Sequence, residues 1–198
     1  MEFAVFIIIF IIIVVLIFII LDNININFNY EDPKITAGKN GEIIAADIIK
    51  ALLYDDDIML MNIKISYEGK ETELDNVIIN KRGVFIIEVK NYSGELIGGK
   101  DDYEWLKQHK SEGGNIYSKT VKNPIKQVKR QTYILSKYLD YYGIDVWVDG
   151  YAFLLNGNAP IKSDFLLYNS KDINYAIHIK RNKKLTNKTV GKITDLLK

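Results

Sequence analysis

The sequence predicts an α/β domain, a mixed sheet flanked by helices, preceded by one N-terminal transmembrane helix. Three observations lead there. Every residue from Phe3 to Leu21 is apolar. Several β-like runs cluster between an early helix signal at Gly38–Tyr54 and a later one opening at Asn123-Pro124. A further apolar run, Val146–Leu155, follows the second helix, and strands interleaved with helices favour a sheet covered on its faces.

The apolar leader sets the first boundary. A bilayer core takes roughly twenty helical residues. A cleaved signal peptide would carry a positive lead-in and a small-residue cleavage pattern. Here the lead-in is Met1-Glu2 and the run ends at Leu21-Asp22-Asn23, so residues 1–21 read as an uncleaved anchor. Lys34 and Lys39 follow it, which by the positive-inside rule predicts a single-pass membrane protein with a cytoplasmic C-terminal domain. Residues 22–37, Asn-rich and punctuated by Pro33, read as a juxtamembrane linker. Residues 38–198 form the remaining domain.

All 26 Lys and Arg and 24 of the 25 acids lie after Leu21, so this part is nearly neutral, and any nucleic-acid binding must use a local patch. The 198-residue chain has no cysteine, which excludes disulfides and thiolate zinc sites, and its two histidines, His109 and His178, read as incidental.

Gly38–Tyr54 reads as a helix because Ala45, Ile48, Ile49, Leu52 and Leu53 share one broad apolar stripe. Asp55-Asp56-Asp57 lacks the spaced ligands of a calcium loop and reads as a solvated turn. Ile58–Tyr67 is β-like and ends in a hairpin turn at Glu68-Gly69-Lys70. Glu73–Asn80 and Val84–Lys90 flank a short Gly-containing turn and read as a second hairpin. One or two short strands are expected within Gly94–Trp105, interrupted at Gly98-Gly99. Asn123 suits a helix N-cap, Pro124 its first position and Gly143 its end. Asn174–Ile179 is expected as a strand and Asn187–Leu197 as a closing helix. The basic run Lys180–Lys184 reads as a solvated loop.

The residues with chemical potential gather around the second hairpin. Glu88 and Lys90 lie two apart in a strand and share a face. If Arg82-Gly83 forms the turn, Lys81 pairs with Val84 and Asp75 falls opposite Lys90, which brings all three charges to one end of the hairpin. Two neighbouring carboxylates repel and resist ionising, and a divalent cation relieves that conflict. The lysine could orient or help deprotonate a water, or offset charge on a phosphoryl group. Glu42 sits at the rim of the apolar face of the first helix, where an acid also simply complements the helix dipole. Gln127 lies one turn into the later helix, on the face of Gln131 and Ile134, while Lys126, Lys129 and Arg130 make its first turns a basic surface suited to phosphate or to solvent.

Gly41-Glu42, Leu74–Ile79, Gly83–Asn91 followed by Gly94, Trp105, and Asn123-Pro124 with Gln127 together resemble the nuclease-related domain family, NERD, of the restriction-endonuclease-like superfamily of D…E-x-K nucleases. The resemblance covers residues 38–155. It implies a restriction-endonuclease-like core with the site at one edge of the sheet. Asp75, Glu88 and the Val89 carbonyl would bind magnesium or manganese. Lys90 would be the catalytic lysine, and Glu42 and Gln127 supporting residues. The implied activity is phosphodiester hydrolysis in nucleic acid, taken as DNA, with homodimers among the assemblies the superfamily uses. Asn76 stands where the family often has histidine. The same fold without activity, as a nucleic-acid-binding or protein-interaction module, is the alternative expectation.

Overall fold

The computed structural model describes residues 33–198 apart from Glu112 and Lys183. The expected anchor and most of the expected linker lie outside the described residues. Among those described, no helix is long and apolar enough to cross a membrane.

The chain runs α1 (Pro33–Lys50), β1 (Ile58–Tyr67), β2 (Lys70–Asn80), β3 (Gly83–Lys90), β4 (Glu95–Ile97), β5 (Glu104–Lys110), β6 (Ile116–Lys122), α2 (Pro124–Tyr141), β7 (Val148–Leu154), β8 (Leu166–Leu167), α3 (Ser170–Ile177) and α4 (Asn187–Leu197). A five-stranded mixed sheet has the order β1-β2-β3-β7-β8, and β4-β5-β6 form a separate antiparallel sheet. β1, β2 and β3 pair antiparallel, whereas β3–β7 and β7–β8 are parallel. β3 is buried along almost its whole length, as its unbroken apolar run predicts for a central strand.

Each face of the large sheet has its own core. Val77, Ile79, Val84 and Ile86 pack with Ile134, Leu135 and Leu139 of α2 and with Val190, Ile193 and Leu197 of α4. Ile78, Phe85, Ile87 and Val89 pack with Ala45 and Ile49 of α1 and with Ile173 and Ile177 of α3. Trp105, fully buried, joins the small sheet to Ile125 and Val128 of α2 and to Leu154 of β7.

Several expectations need correction. The first helix spans 33–50, so the last five residues of the expected linker are helical and the helix stops before the 51–54 stretch. Asn174–Ile179 is not a strand. Asn169 caps a helix there by accepting from the backbone N–H groups of Lys171 and Asp172, and Ile173, Ala176 and Ile177 fall on its buried face. The β5–β6 hairpin extends the expected short strands through residue 122. Asp57 is not solvated: its side chain is buried against His178 Nε2 at 2.8 Å, and His178 stacks on Tyr54 with ring centroids 3.9 Å apart. His178 is therefore a structural pin between the end of α3 and the loop after α1.

Backbone conformation accounts for the two hairpins. Glu68 and Gly69 both have positive φ, 49° and 72°, as a two-residue primed turn requires. In the second hairpin Asn80 pairs with Gly83, so the turn is Lys81-Arg82 rather than Arg82-Gly83. Asn80 stabilises it by accepting from the Arg82 N–H at 2.8 Å.

At Asn62 the first hairpin turns over. Its φ is +55°, a left-handed value that asparagine tolerates better than most residues. The β1–β2 register is the same before and after it, with Met61 opposite Asn76 and Ile63 opposite Leu74. Yet Leu60 and Val77 on one side of this point, and Ile63 and Leu74 on the other, all pack into the core under α2. Strict alternation would separate them. Both strands thus rotate together, and Asp75 lies opposite Asn62 at the turnover.

Gly150 on β7 brings α2 close to the sheet. A Cβ there would meet Thr132 Oγ1 at 2.2 Å and the Val128 carbonyl at 3.0 Å. Gly150→Ala should cost about 1–3 kcal/mol through overpacking. Urea denaturation would measure it, and adding Thr132→Ala should recover part of the loss. Unchanged stability in the single variant would refute this account of the helix–sheet spacing.

Candidate active-site cleft

The β2–β3 ladder ends at Asn76 opposite Ile87. Beyond that pair, side chains of β2 take over the bonding. Asn76 Nδ2 donates to the Ile87 carbonyl at 3.2 Å, and the Val89 N–H donates to Asp75 Oδ2 at 2.8 Å. Extending the register places Asp75 opposite Glu88, not Lys90. The expected pairing was wrong by two positions, and an even error keeps a side chain on the same sheet face. Across the turnover at Asp75 parity alone does not decide the face, but Asp75 and Glu88 line one cleft and Lys90 donates to Glu88, so the three converge.

Glu88 is 3% exposed. A buried carboxylate needs donors, and three side chains supply them. Lys90 Nζ and Gln127 Nε2 both donate to Oε1 at 2.5 Å, and Gln131 Nε2 donates to Oε2 at 2.6 Å. Gln131 also donates to the Glu73 carbonyl at 3.0 Å, which ties α2 to β2. Gln127 was expected here. Gln131 was not assigned a role, although its position four residues on, on the same helix face, was the available signal.

Electrostatics separate the three charges. Asp75 is pushed up to about 7, by burial first and then by the charge of Glu88, with Glu42 adding to it; the Val89 N–H and Lys90 pull the other way. Burial works to lower the Lys90 ammonium, but the Glu88 charge, Tyr92 and the hydrogen bond to Glu88 outweigh it, and the net shift is upward. Lys90 is thus held as a cation by Glu88 in the metal-free protein. Tyr92, just beyond it, has its phenol raised chiefly by burial and is a neighbour that sequence patterning did not single out.

Asp75, Glu88 and Gln127 border a cleft of about 780 Å³, lined also by Glu42, Tyr103, Lys122, Asn123, Lys126 and Arg130. Lys90 is not among its lining residues and meets the site through its bond to Glu88. Glu42 reaches it because α1 approaches β3 closely: a Cβ on Gly41 would come within 2.7 Å of Asn91 Cβ. Asn123 builds the far wall. Its Oδ1 accepts from the Ile125 N–H at 2.9 Å, capping α2, while its Nδ2 donates to the carbonyls of Gly99, Lys100 and Asp102. Of the three expected nucleic-acid contacts, Lys126 and Arg130 line the cleft, and Arg130 donates to the Glu71 carbonyl at 2.9 Å. Lys129 does not line it; its ammonium lies 4.7 Å from the centre of the Phe165 ring.

The donor set suits one hard cation. Among the described residues no three acids or histidines stand close enough to form a ready-made cage. Magnesium needs less, since one or two carboxylates suffice when water and phosphate complete its shell. Asp75 and Glu88 are two acids in a shared, water-poor position, one of which resists ionising. The Val89 carbonyl is disposed to join them. Lys90's carbonyl accepts from Leu155 on the β7 side, so the preceding carbonyl, which alternates, faces β2 and Asp75.

A pH dependence follows for the metal-free protein. Between about pH 4 and pH 7 folded Asp75 retains a proton that the unfolded chain has released, so stability falls as pH rises through that window. Asp75→Asn should match the wild type near the acid end and exceed it at pH 8 by on the order of 1 kcal/mol or more. Urea midpoints with chelator present would show it, and a pH-independent difference would refute the assigned shift.

No solved structure matches the chain. A segment of 69 residues is 32% identical to an uncharacterized protein of Bacillus anthracis, covering 34% of this chain and 32% of that protein, so the chain matches only about a third of the relative's length. The family model for the nuclease-related domain matches residues 37–155, from the helix that carries Glu42 to the end of β7. With that match over more than half its length, the chain belongs to the nuclease-related domain family, NERD, within the restriction-endonuclease-like superfamily.

Proposed function

We propose that this protein is a membrane-anchored nuclease that hydrolyses phosphodiester bonds in DNA with a magnesium or manganese ion. The observation that supports it best is the convergence of Asp75, Glu88 and Gln127 on one cleft, with Lys90 donating to the same Glu88 oxygen as Gln127. Asp75, Glu88 and the Val89 carbonyl would hold the ion. When bound, it supplies Lewis-acid stabilisation of charge developing on the phosphoryl oxygens.

The chain's own residues then have distinct tasks. Gln127 and Gln131 hold the Glu88 carboxylate in one orientation from two successive turns of α2. Lys90, held by its bond to Glu88, donates a hydrogen bond and offsets negative charge at the phosphoryl group. Lys126 and Arg130 meet flanking phosphates at the cleft wall. The cleft also carries Glu42, Glu71, Glu73 and Glu104, so a polyanion enters it more easily once cationic charge has been added. That charge balance favours cation-dependent over cation-free engagement. The anchor rests on the apolar run Phe3–Leu21 alone.

Full-length protein should cleave single- or double-stranded DNA only with magnesium or manganese, and Glu88→Ala should abolish cleavage. Loss of wild-type cleavage on every substrate with either ion would move the reading to a binding module. Lys90→Met, in a variant whose urea midpoint shows it folded, should lower single-turnover rates by roughly 10²–10³. Affinity in calcium should barely change, because the contribution is made in the transition state. Wild-type rates would remove Lys90 from the chemistry. In cell fractionation the protein should stay with membranes through carbonate and high-salt washes; release by salt alone would contradict the anchor.

A further inference from the structure

The solvent-facing ridge of α2 carries a pattern that begins in the cleft and runs on beyond it. Lys126, Arg130, Tyr133, Lys137 and Tyr141 follow one another at intervals of four, three, four and four residues, so they line one side of the helix. Lys126 and Arg130 lie in the cleft. From Lys126 the ridge runs about 22 Å to Tyr141 at the far end of the helix.

Its rings stand in water. Tyr133 is 48% exposed and Tyr141 74%. Tyr141 adjoins further rings, edge-on to Tyr142 and Tyr67 at 5.2 and 6.4 Å between centroids. Cations accompany the aromatics: Lys70 Nζ lies 5.5 Å from the Tyr133 ring centre, and Lys126 Nζ lies 5.8 Å from that of Tyr103, which is 81% exposed at the mouth of the cleft. Single exposed rings are ordinary on protein surfaces. A row of rings spaced by cations and continuous with a phosphate-handling cleft is a different arrangement. The charge is not uniform, since Asp140 flanks the ridge and lies 3.7 Å from Lys137. Asp140 is largely and Lys137 partly exposed, and such a surface pair yields readily to a phosphate.

We propose that this ridge is a track for unpaired nucleic acid, whose phosphates lie on Lys126, Arg130 and Lys137 and whose bases stack on Tyr133 and Tyr141. The ring faces select the occupant. In a duplex the base faces are already stacked on one another, so a duplex can use only the cations. An unpaired strand uses both cations and rings, because every base has a π-face. The proposal deepens the nuclease reading and rests on it for the track's role: the substrate would be a single strand, or a duplex with an unpaired extension, led along α2 to Glu88.

Three labelled probes of equal length separate the contributions: an oligothymidylate of about twelve nucleotides, an abasic strand with the same phosphates, and a duplex. Each is titrated into full-length protein with calcium in place of magnesium. The wild type should bind the thymidylate at least roughly tenfold more tightly than the abasic strand or the duplex. Tyr133→Ala and Tyr141→Ala should each weaken thymidylate binding by roughly 5- to 150-fold while leaving the abasic strand unchanged. Tyr141→Phe should retain wild-type affinity, and Lys137→Ala should weaken all three probes together. Equal wild-type affinity for thymidylate and abasic strands would overturn the proposal. So would equal losses on both strands in the tyrosine variants, no loss at all, or a change confined to the oligomeric state, which would make the tyrosines a protein interface. Base-dependent binding without cleavage of any substrate would uphold the track and reject the nuclease reading instead.

Discussion

The buried carboxylate of Glu88 is the constraint on which the rest of the site depends. A charged group at 3% exposure persists only if its oxygens are matched by donors. Its donors come from its own strand, through Lys90, and from two turns of α2, through Gln127 and Gln131. That requirement fixes how close α2 must lie to β3. The close approach is made possible at Gly150, where β7 and α2 leave no room for a side chain. Gln131 then returns a second bond to β2. Two strands and a helix are thus held together by one acid.

Asp75 shows the complementary device. It does not accept bonds from several side chains; it occupies a gap in the sheet. The left-handed conformation at Asn62 and the common rotation of β1 and β2 end the regular ladder just before the site. The Asp75 carboxylate fills the place of a missing backbone partner by accepting from Val89. Burial and the neighbouring Glu88 charge keep its proton on to near neutrality. Such an arrangement stores electrostatic conflict in the metal-free protein, and conflict of this kind favours cation binding over a neutral resting site.

The cleft walls are made by interactions that carry no chemistry of their own. Trp105 anchors the small sheet in the third core and donates through its indole N–H to the Gly99 carbonyl at 2.8 Å. Asn123 gathers the same loop and caps α2. Their shared work is to place Tyr103 and Lys122 across from Glu88. Trp105, Asn123 and Gly41 serve the architecture of the cleft, while Asp75, Glu88 and Lys90 carry its charge.

Local order determined much of this protein. The apolar stripe of α1, the buried run of β3, the Asn-Pro start of α2 and the closing helix were legible because each is set by neighbours within a few residues. The grouping of Glu88 and Lys90 was legible from strand parity, whereas the cleft decides that Asp75 joins them. The helix at Ser170–Ile177 was misread because eight residues carry little periodicity. The available signal was Asn169 with Asp172 three residues on, whose carboxylate accepts from the Tyr168 N–H and from Asn169 Nδ2 to close the helix start. Tertiary structure alone decided the partners of Glu88, the displacement of Lys129 toward Phe165, the burial of Asp57 on His178 and the break at Asn62. Each depends on contacts between residues far apart in the chain. Sequence patterning reports which residues share a face, while the distance between faces is set by how the helices pack on the sheet.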